Sequence, residues 1–179
     1  VTWGNGATGT SGTVSVTNSL IGSTASDAVS ITGVTALTNG NYVVRTGYWD
    51  RVEGGTLADV GAATWGDGTT GITGTVSVTN SLIGSTASDA ISGTGVTALS
   101  NGNYVVASEY WNQVQGGALS DVGAATWGNG TTGITGTVSI TNSLIGSSSN
   151  DRVSETGVTA LTKGNYVVGS EYWRRIEGG

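Results

Sequence analysis

The chain has 179 residues, including 32 Gly but no Pro, Cys, Met, His or Phe, and only 10% of its residues are charged. A net charge of −6 with only six basic residues argues against nucleic acid as a partner, because phosphate binding depends on clustered Lys and Arg. The lack of Cys and His removes disulfides, thiolate metal sites and most routes to nucleophilic catalysis. No apolar run approaches the roughly 18 residues of a membrane span, so we expect no membrane insertion.

Three tandem copies of one 62-residue unit make up the chain. Trp3 recurs as Trp65 and Trp127, and the segment GTVSVTNSLIGS that begins at Gly12 recurs at Gly74 and, with one Val-to-Ile change, at Gly136. We place repeat 1 at 1–62, repeat 2 at 63–124 and a truncated repeat 3 at 125–179, which together form one repeat domain. The third copy lacks the linker found at 56–62 and 118–124.

Each unit is predicted to contain four strands. In the first unit, alternating Val and Ser or Thr at 13–17 predict a strand with one buried face. Val34–Leu37 is the second strand, and Asn39-Gly40 predicts a two-residue hairpin turn in which both residues have positive φ. The apolar run Tyr42–Val44 predicts a strand buried on both faces, and 60–65 is the fourth strand.

Four short strands per unit predict an all-β protein of β-propeller type, with three four-stranded antiparallel blades of 62 residues. Closed propellers have about four to eight blades, so three blades leave exposed edges. We therefore expect completion by oligomerisation, favouring a homodimer with six blades. A longer natural protein, or a different three-fold fold such as a trefoil or prism, are the alternatives.

The repeat resembles two known families. The run from Asp151-Arg152-Val153 through GVTALTKGNYVV resembles the FG-GAP repeats of integrin-α-type β-propellers. The whole unit, with TWGNGTTG, TNSLIGS and NGNYVV, is similar to repeats of very large bacterial haemagglutinin-like surface proteins. These resemblances imply a propeller and a bacterial cell-surface or extracellular setting. The Phe-Gly and Gly-Ala-Pro motifs and the carboxylate-rich calcium loop are missing, so neither calcium sites nor integrin-like recognition carry over.

Carboxylates offer little chemistry in this sequence. Asp27, Asp89 and Asp151 recur at one place in every unit, which favours a turn or cap that bonds backbone N–H groups over a catalytic pair. Calcium needs several close oxygen ligands, whereas Asp67 offers one carboxylate and its equivalents are Asn. We expect neither an enzyme nor a bound metal or other cofactor.

Adjacent aromatic residues are the candidate ligand site. In a strand, neighbouring side chains point to opposite faces, so one ring of each pair packs inside while the other stacks on a sugar; alternatively, both rings anchor the blade. The charge next to these pairs changes between copies, as expected of exposed binding loops or of simple drift. The candidates are Tyr48, Trp49, Tyr110, Trp111, Tyr172, Trp173, Arg45, Glu109 and Glu171. Trp3, Trp65 and Trp127 are expected in the core.

Together these features predict a non-catalytic extracellular repeat module of a bacterial surface or adhesin-type protein, acting as a structural scaffold or in adhesion. The alternative is a multivalent lectin that binds cell-surface glycans through repeated Tyr-Trp loops and gains avidity from repetition.

Overall fold

The computed structural model describes residues 1–114 and 116–174. Its described part is almost entirely β-structure, with a single 3-10 turn at Thr162–Gly164, and contains no helix long enough to cross a membrane. The strands are β1 Leu20–Ile21, β2 Val34–Ala36, β3 Tyr42–Thr46, β4 Ala62–Gly66, β5 Gly74–Thr75, β6 Ser81–Ile83, β7 Gly95–Ala98, β8 Tyr104–Ser108, β9 Ala124–Gly128, β10 Gly136–Thr137, β11 Ser143–Ile145, β12 Val158–Ala160 and β13 Tyr166–Val168.

Two complete four-stranded antiparallel sheets follow one another along the chain. The first has the order β6-β4-β3-β2, and the second has the order β11-β9-β8-β7. Each sheet takes two strands from one sequence copy and two from the next, so the sheets span the linkers at 56–62 and 118–124. The all-β repeat architecture predicted from the sequence is confirmed.

Consecutive units contact each other at equivalent positions. The Thr35 hydroxyl donates to the Val96 carbonyl at 3.4 Å, and Thr97, the equivalent of Thr35, donates to the Val158 carbonyl at 3.1 Å. At the other edge of the first sheet, β10 of the next unit pairs in parallel with β6. The same contact is therefore made each time a unit follows another.

Valine and leucine side chains of the central strands form the core. Val43 and Val44 of β3 are both fully buried, as are their equivalents in β8, which confirms the strand predicted to be buried on both faces. Burying one such side chain contributes about 1.5–3 kcal/mol to the stability of the fold. Because each unit is small, its core is completed only by neighbouring units.

The strand predicted at 13–17 is wrong. Residues 16–18 form a turn, in which the Asn18 amide N–H donates to the Ser15 carbonyl. The Asn18 side chain fixes this turn, because its Oδ1 accepts from the Ser15 N–H at 2.9 Å and its Nδ2 donates to the Thr13 carbonyl at 3.0 Å. The strand begins later, at Leu20, and a side chain that competes for backbone hydrogen bonds explains the difference.

The hairpin between β2 and β3 also differs from the prediction. Gly40 has a φ of 91°, but Asn39 is not among the residues with positive φ. The Gly40 N–H donates to the Leu37 carbonyl and the Leu37 N–H donates to the Asn41 carbonyl, so the loop is longer than two residues. A three-residue loop whose last residue is a left-handed glycine is the next most common hairpin connection.

The tryptophans of the TWGNG segments join consecutive units. The Trp65 indole N–H donates to the Gly130 carbonyl of the next unit at 3.0 Å, and Trp3 donates to the Gly68 carbonyl at the same distance. Both rings are half-buried, whereas Trp127 is exposed. The expectation that all three lie in the core is therefore wrong, because their burial depends on a following unit.

Candidate functional site

The aromatic pairs divide between the core and the surface. Tyr48 is 51% exposed and Trp49 only 3%, and Tyr110 and Trp111 divide in the same way. In these two pairs one ring is exposed and the other is buried, and each pair lies in the turn after a strand rather than in the strand itself. The core position of Trp49 and Trp111 means that only the tyrosines present a ring face to solvent. Tyr172 and Trp173 are both exposed.

A groove of about 400 Å³ lies between the two exposed tyrosines. Its volume is within the usual range of small-molecule sites. Tyr48 and Tyr110 border it, and the carboxylate residues Asp59, Glu109 and Asp121 line it. The remaining lining residues are small, namely Thr32, Gly47, Ser88, Ala90 and Gly93. Two aromatic rings and three acidic residues thus meet at the junction between consecutive units.

The carboxylates of this groove differ in environment. Burial raises the pKa of Glu109, with repulsion from Glu155 adding to the effect, while the Arg152 guanidinium opposes it. None of the described residues donates a hydrogen bond to the Asp59 side chain, whose own backbone N–H donates to Asp50 Oδ1 at 2.9 Å. Asp59 therefore presents a carboxylate with free acceptor positions to the groove.

Arg45 has a structural role beside the groove. Its Nε donates to the Ser92 carbonyl and its second terminal nitrogen to the Gly93 carbonyl, both at 3.1 Å. Burial lowers the pKa of this guanidinium. Held against two backbone carbonyls of the next unit, Arg45 does not line the groove. Glu171, the equivalent of Glu109 in the last copy, is exposed.

The next junction along the chain also has two tyrosines, but a charged side chain lies between them. The Arg152 guanidinium lies between two tyrosine rings, with its carbon 5.2 Å from the centroid of Tyr110 and 5.9 Å from that of Tyr172. Both distances are within the range of cation–π attraction. Arg152 occupies the position that Ala90 holds in the preceding unit.

The buried tryptophans border smaller cavities. Trp49 lines one of about 100 Å³ and Trp111 lines an equivalent one of about 80 Å³. Both indole N–H groups are buried without an acceptor in the described part of the chain. These cavities are large enough for a few water molecules, which commonly satisfy such groups.

The recurring aspartates cap loops. Asp89 is fully buried and accepts hydrogen bonds from the backbone N–H groups of Ser85, Thr86 and Asn112 at 2.7–3.0 Å. Asp27 and Asp151 make the equivalent bonds. The structural interpretation of these residues is confirmed. Within the described ranges, no three acidic residues are grouped so as to hold a metal ion.

Three residues that line the groove are not among the candidates named from the sequence: Asp59 and Asp121, which lie in the linkers between copies, and Ala90, which we call the floor of the groove. One signal was present: Ala28, Ala90 and Arg152 are equivalent positions that follow an invariant aspartate, and only the last is charged. This difference between copies indicates the position of the groove, as do the differences in the residues beside the tyrosines.

Comparison with known proteins identifies the repeat. No curated protein and no solved structure matches the chain. A family model described as a repeat of unknown function, DUF5650, matches residues 1–31, 36–93, 98–155 and 160–177. The two longest matches each contain the last three strands of one four-stranded sheet. The chain therefore belongs to the DUF5650 family of tandem repeats.

Proposed function

We propose that this chain is a non-catalytic extracellular repeat module of a bacterial surface or adhesin-type protein, in which units stack end to end to build a scaffold. One observation carries this proposal: the apolar positions that are buried between internal units are exposed at both ends. Val167 is 54% exposed, whereas its equivalents Val43 and Val105 are fully buried. Val14 is 65% exposed, whereas its equivalent Val76 is 2% exposed.

Other residues of the last unit follow the same pattern. Leu161, Tyr166 and Trp173 are exposed, whereas their equivalents Leu99, Tyr104 and Trp111 are buried. Exposed apolar side chains at positions that are buried in the other units indicate an interaction site. Because the next unit covers these positions elsewhere in the chain, a unit of the same kind is the occupant that fits them.

The two ends also hold complementary halves of one sheet. β12 and β13 form a two-stranded sheet that has no further partner strand in the described residues, while residues 2–4 and β1 are equivalent to β4 and β6. In the first complete sheet, Tyr42 lies opposite Gly66 and Val43 lies opposite Trp65. The same register would set Tyr166 opposite Gly4, and Val167 opposite Trp3, of a second copy.

Two copies joined at both ends would form six sheets, because each chain contains two complete sheets and contributes two halves. Six blades is a common size for a closed β-propeller, in which only short, protected strand edges remain. We therefore propose a homodimer with propeller closure. The resemblances to FG-GAP and haemagglutinin-like repeats support this proposal and a cell-surface location, as does the low content of charged residues.

Light scattering coupled to size-exclusion chromatography tests the assembly. We expect a particle with twice the monomer mass of 17.8 kDa. Val167→Asp should give a folded monomer, because a charge at this position opposes burial. Val52→Asp is the matched control, since Val52 is exposed in the loop after Trp49 and not at an end, and should leave the dimer intact. A compact monomer of the parent chain would refute the end-to-end assembly.

Carbohydrate binding is the second candidate function. Exposed tyrosines beside carboxylates at a unit junction are the observation that favours it, because rings stack on sugar faces and carboxylates accept bonds from hydroxyls. A glycan array tests this candidate, with Tyr48→Ala as the variant that should lose binding. Trp49→Phe provides a buried-position control that should keep it. No binding to any glycan would leave the scaffold as the function.

A further inference from the structure

The second junction shows which chemical group the chain itself places between two such tyrosines. At the second junction, Arg152 extends from the floor and its guanidinium lies between the rings of Tyr110 and Tyr172. Its backbone N–H donates to the Asp121 carbonyl at 3.1 Å, and its φ is 46°. The side chain that fills this junction is therefore a cation fixed by the fold.

The first junction has the same backbone arrangement, but the floor residue there is Ala90, which carries no charge. The Ala90 N–H donates to the Asp59 carbonyl at 3.0 Å, and its φ is also 46°. Because the backbone of Ala90 matches that of Arg152, the Cα–Cβ bonds of the two residues have equivalent orientations in their junctions. The groove of about 400 Å³ between Tyr48 and Tyr110 is open because an alanine stands there.

The charge of the open groove favours a cation. Asp59, Glu109 and Asp121 line it, and its lining contains no Lys or Arg. Of the neighbouring guanidinium groups, that of Arg45 is engaged by two backbone carbonyls, and that of Arg152 lies against the Tyr110 ring at the adjoining junction. The charge of Arg152 acts on Glu109, so Asp59 is the carboxylate that we expect to bind a cation in the open groove. A cation held between aromatic faces and opposite charges is attracted by both.

We propose that the groove between Tyr48 and Tyr110 binds the guanidinium of an arginine side chain presented by a partner protein. The two tyrosine rings would flank the planar guanidinium as their equivalents flank Arg152, and Asp59 would accept its N–H groups. Planar, weakly hydrated guanidinium suits such a site better than the compact ammonium of lysine. This inference does not depend on end-to-end assembly, since both walls of the groove belong to one chain.

The test uses the full chain and a small probe, N-acetyl-arginine-N-methylamide, titrated by NMR. We expect saturable binding with shifts at groove residues, and about tenfold weaker binding of the citrulline analogue, which has the same shape without the charge. Ala90→Arg should abolish binding, because its side chain would fill the groove as Arg152 fills the next one. Ala28→Arg is the matched control, with the same charge change at the equivalent position, a φ of 42° and no place in the groove lining.

Equal affinity for the citrulline analogue, or undiminished binding to the Ala90→Arg variant, would overturn the proposal. Displacement of the arginine probe by a neutral monosaccharide that binds more tightly would also overturn it, in favour of the carbohydrate function. The mass of the particle is measured separately in the same samples. Failure of probe binding is therefore distinguishable from failure of the end-to-end assembly.

Discussion

Replacement of Asp89 by Asn removes a charge from the centre of a loop while changing its shape very little. Asp89 Oδ2 accepts from the backbone N–H groups of Ser85 at 2.7 Å and Thr86 at 2.8 Å. Its Oδ1 accepts from the Thr86 hydroxyl at 2.6 Å and from the Asn112 backbone and side-chain nitrogens at 3.0 and 2.8 Å. One carboxylate thus joins two loops 23 residues apart.

An amide cannot replace this pattern, because it has only one acceptor oxygen. In either orientation its NH2 group faces at least two donors, which lose charge-assisted bonds and stay buried. Each such bond contributes about 1.5–3 kcal/mol, so we expect Asp89→Asn to lower the free energy of unfolding by about 3–5 kcal/mol. That is a large part of the roughly 5–15 kcal/mol of a typical domain.

Urea unfolding followed by tryptophan fluorescence measures this loss, with the slope against urea checked for change. The control is Asp67→Asn. Asp67 is a half-buried residue just before a turn, and its equivalents are already Asn5 and Asn129. Its Oδ1 accepts from the Thr69 N–H as Asn129 Oδ1 accepts from the Thr131 N–H. The control should leave the midpoint unchanged. A loss below about 1 kcal/mol for Asp89→Asn would refute the view that this carboxylate holds the loops together.

Three further predictions use other features of the repeat. Gly130→Ala should cost about 2–3 kcal/mol in urea unfolding because its Cβ would overlap the Gly102 carbonyl, whereas Gly6→Ala, at the equivalent open position, should be neutral. Burial raises the pKa of Tyr104 to about 12, so its absorbance change should come late in an alkaline titration and vanish in Tyr104→Phe. The pKa of Glu109 is raised above 4.5, so its stabilising effect is complete below pH 4.5 and is lost as the pH rises through the folded-state value. The free energy of unfolding of Glu109→Gln should not fall in this pH range. If the parent and the variant show the same pH dependence of unfolding, the raised pKa of Glu109 is contradicted.

Most of the architecture could be predicted from periodicity and repetition alone. The strands at Tyr42–Val44 and before Trp65 follow from continuous apolar runs, and the 62-residue period gave the number of units. The alternation at 13–17 failed as a strand signal because Asn18 closes a turn with its own side chain, a local bond that hydrophobic pattern does not encode.

The candidate site was predicted in part. Tyr48, Tyr110 and Glu109 lie at one groove, whereas Arg45 is engaged beside it and Trp49 lies in the core. The sequence could not separate the ring that packs inside from the ring that faces solvent, because the two residues are adjacent. Asp59 and Asp121 join the groove only through contacts between units, which a reading of one unit at a time does not include.

Differences between the copies are informative because the stacking of units restricts where they can occur. Gly130 must remain glycine since the Gly102 carbonyl lies where its Cβ would be, and Asn39, Asn41 and Trp65 all donate to the Gly130 carbonyl. Side chains at such contacts cannot vary without separating two units. The position of Ala90 faces the groove instead, so an alanine there leaves it open, whereas an arginine one unit later fills it. The two described junctions therefore differ in charge on the same scaffold, so the chain carries two distinct surfaces rather than one surface repeated.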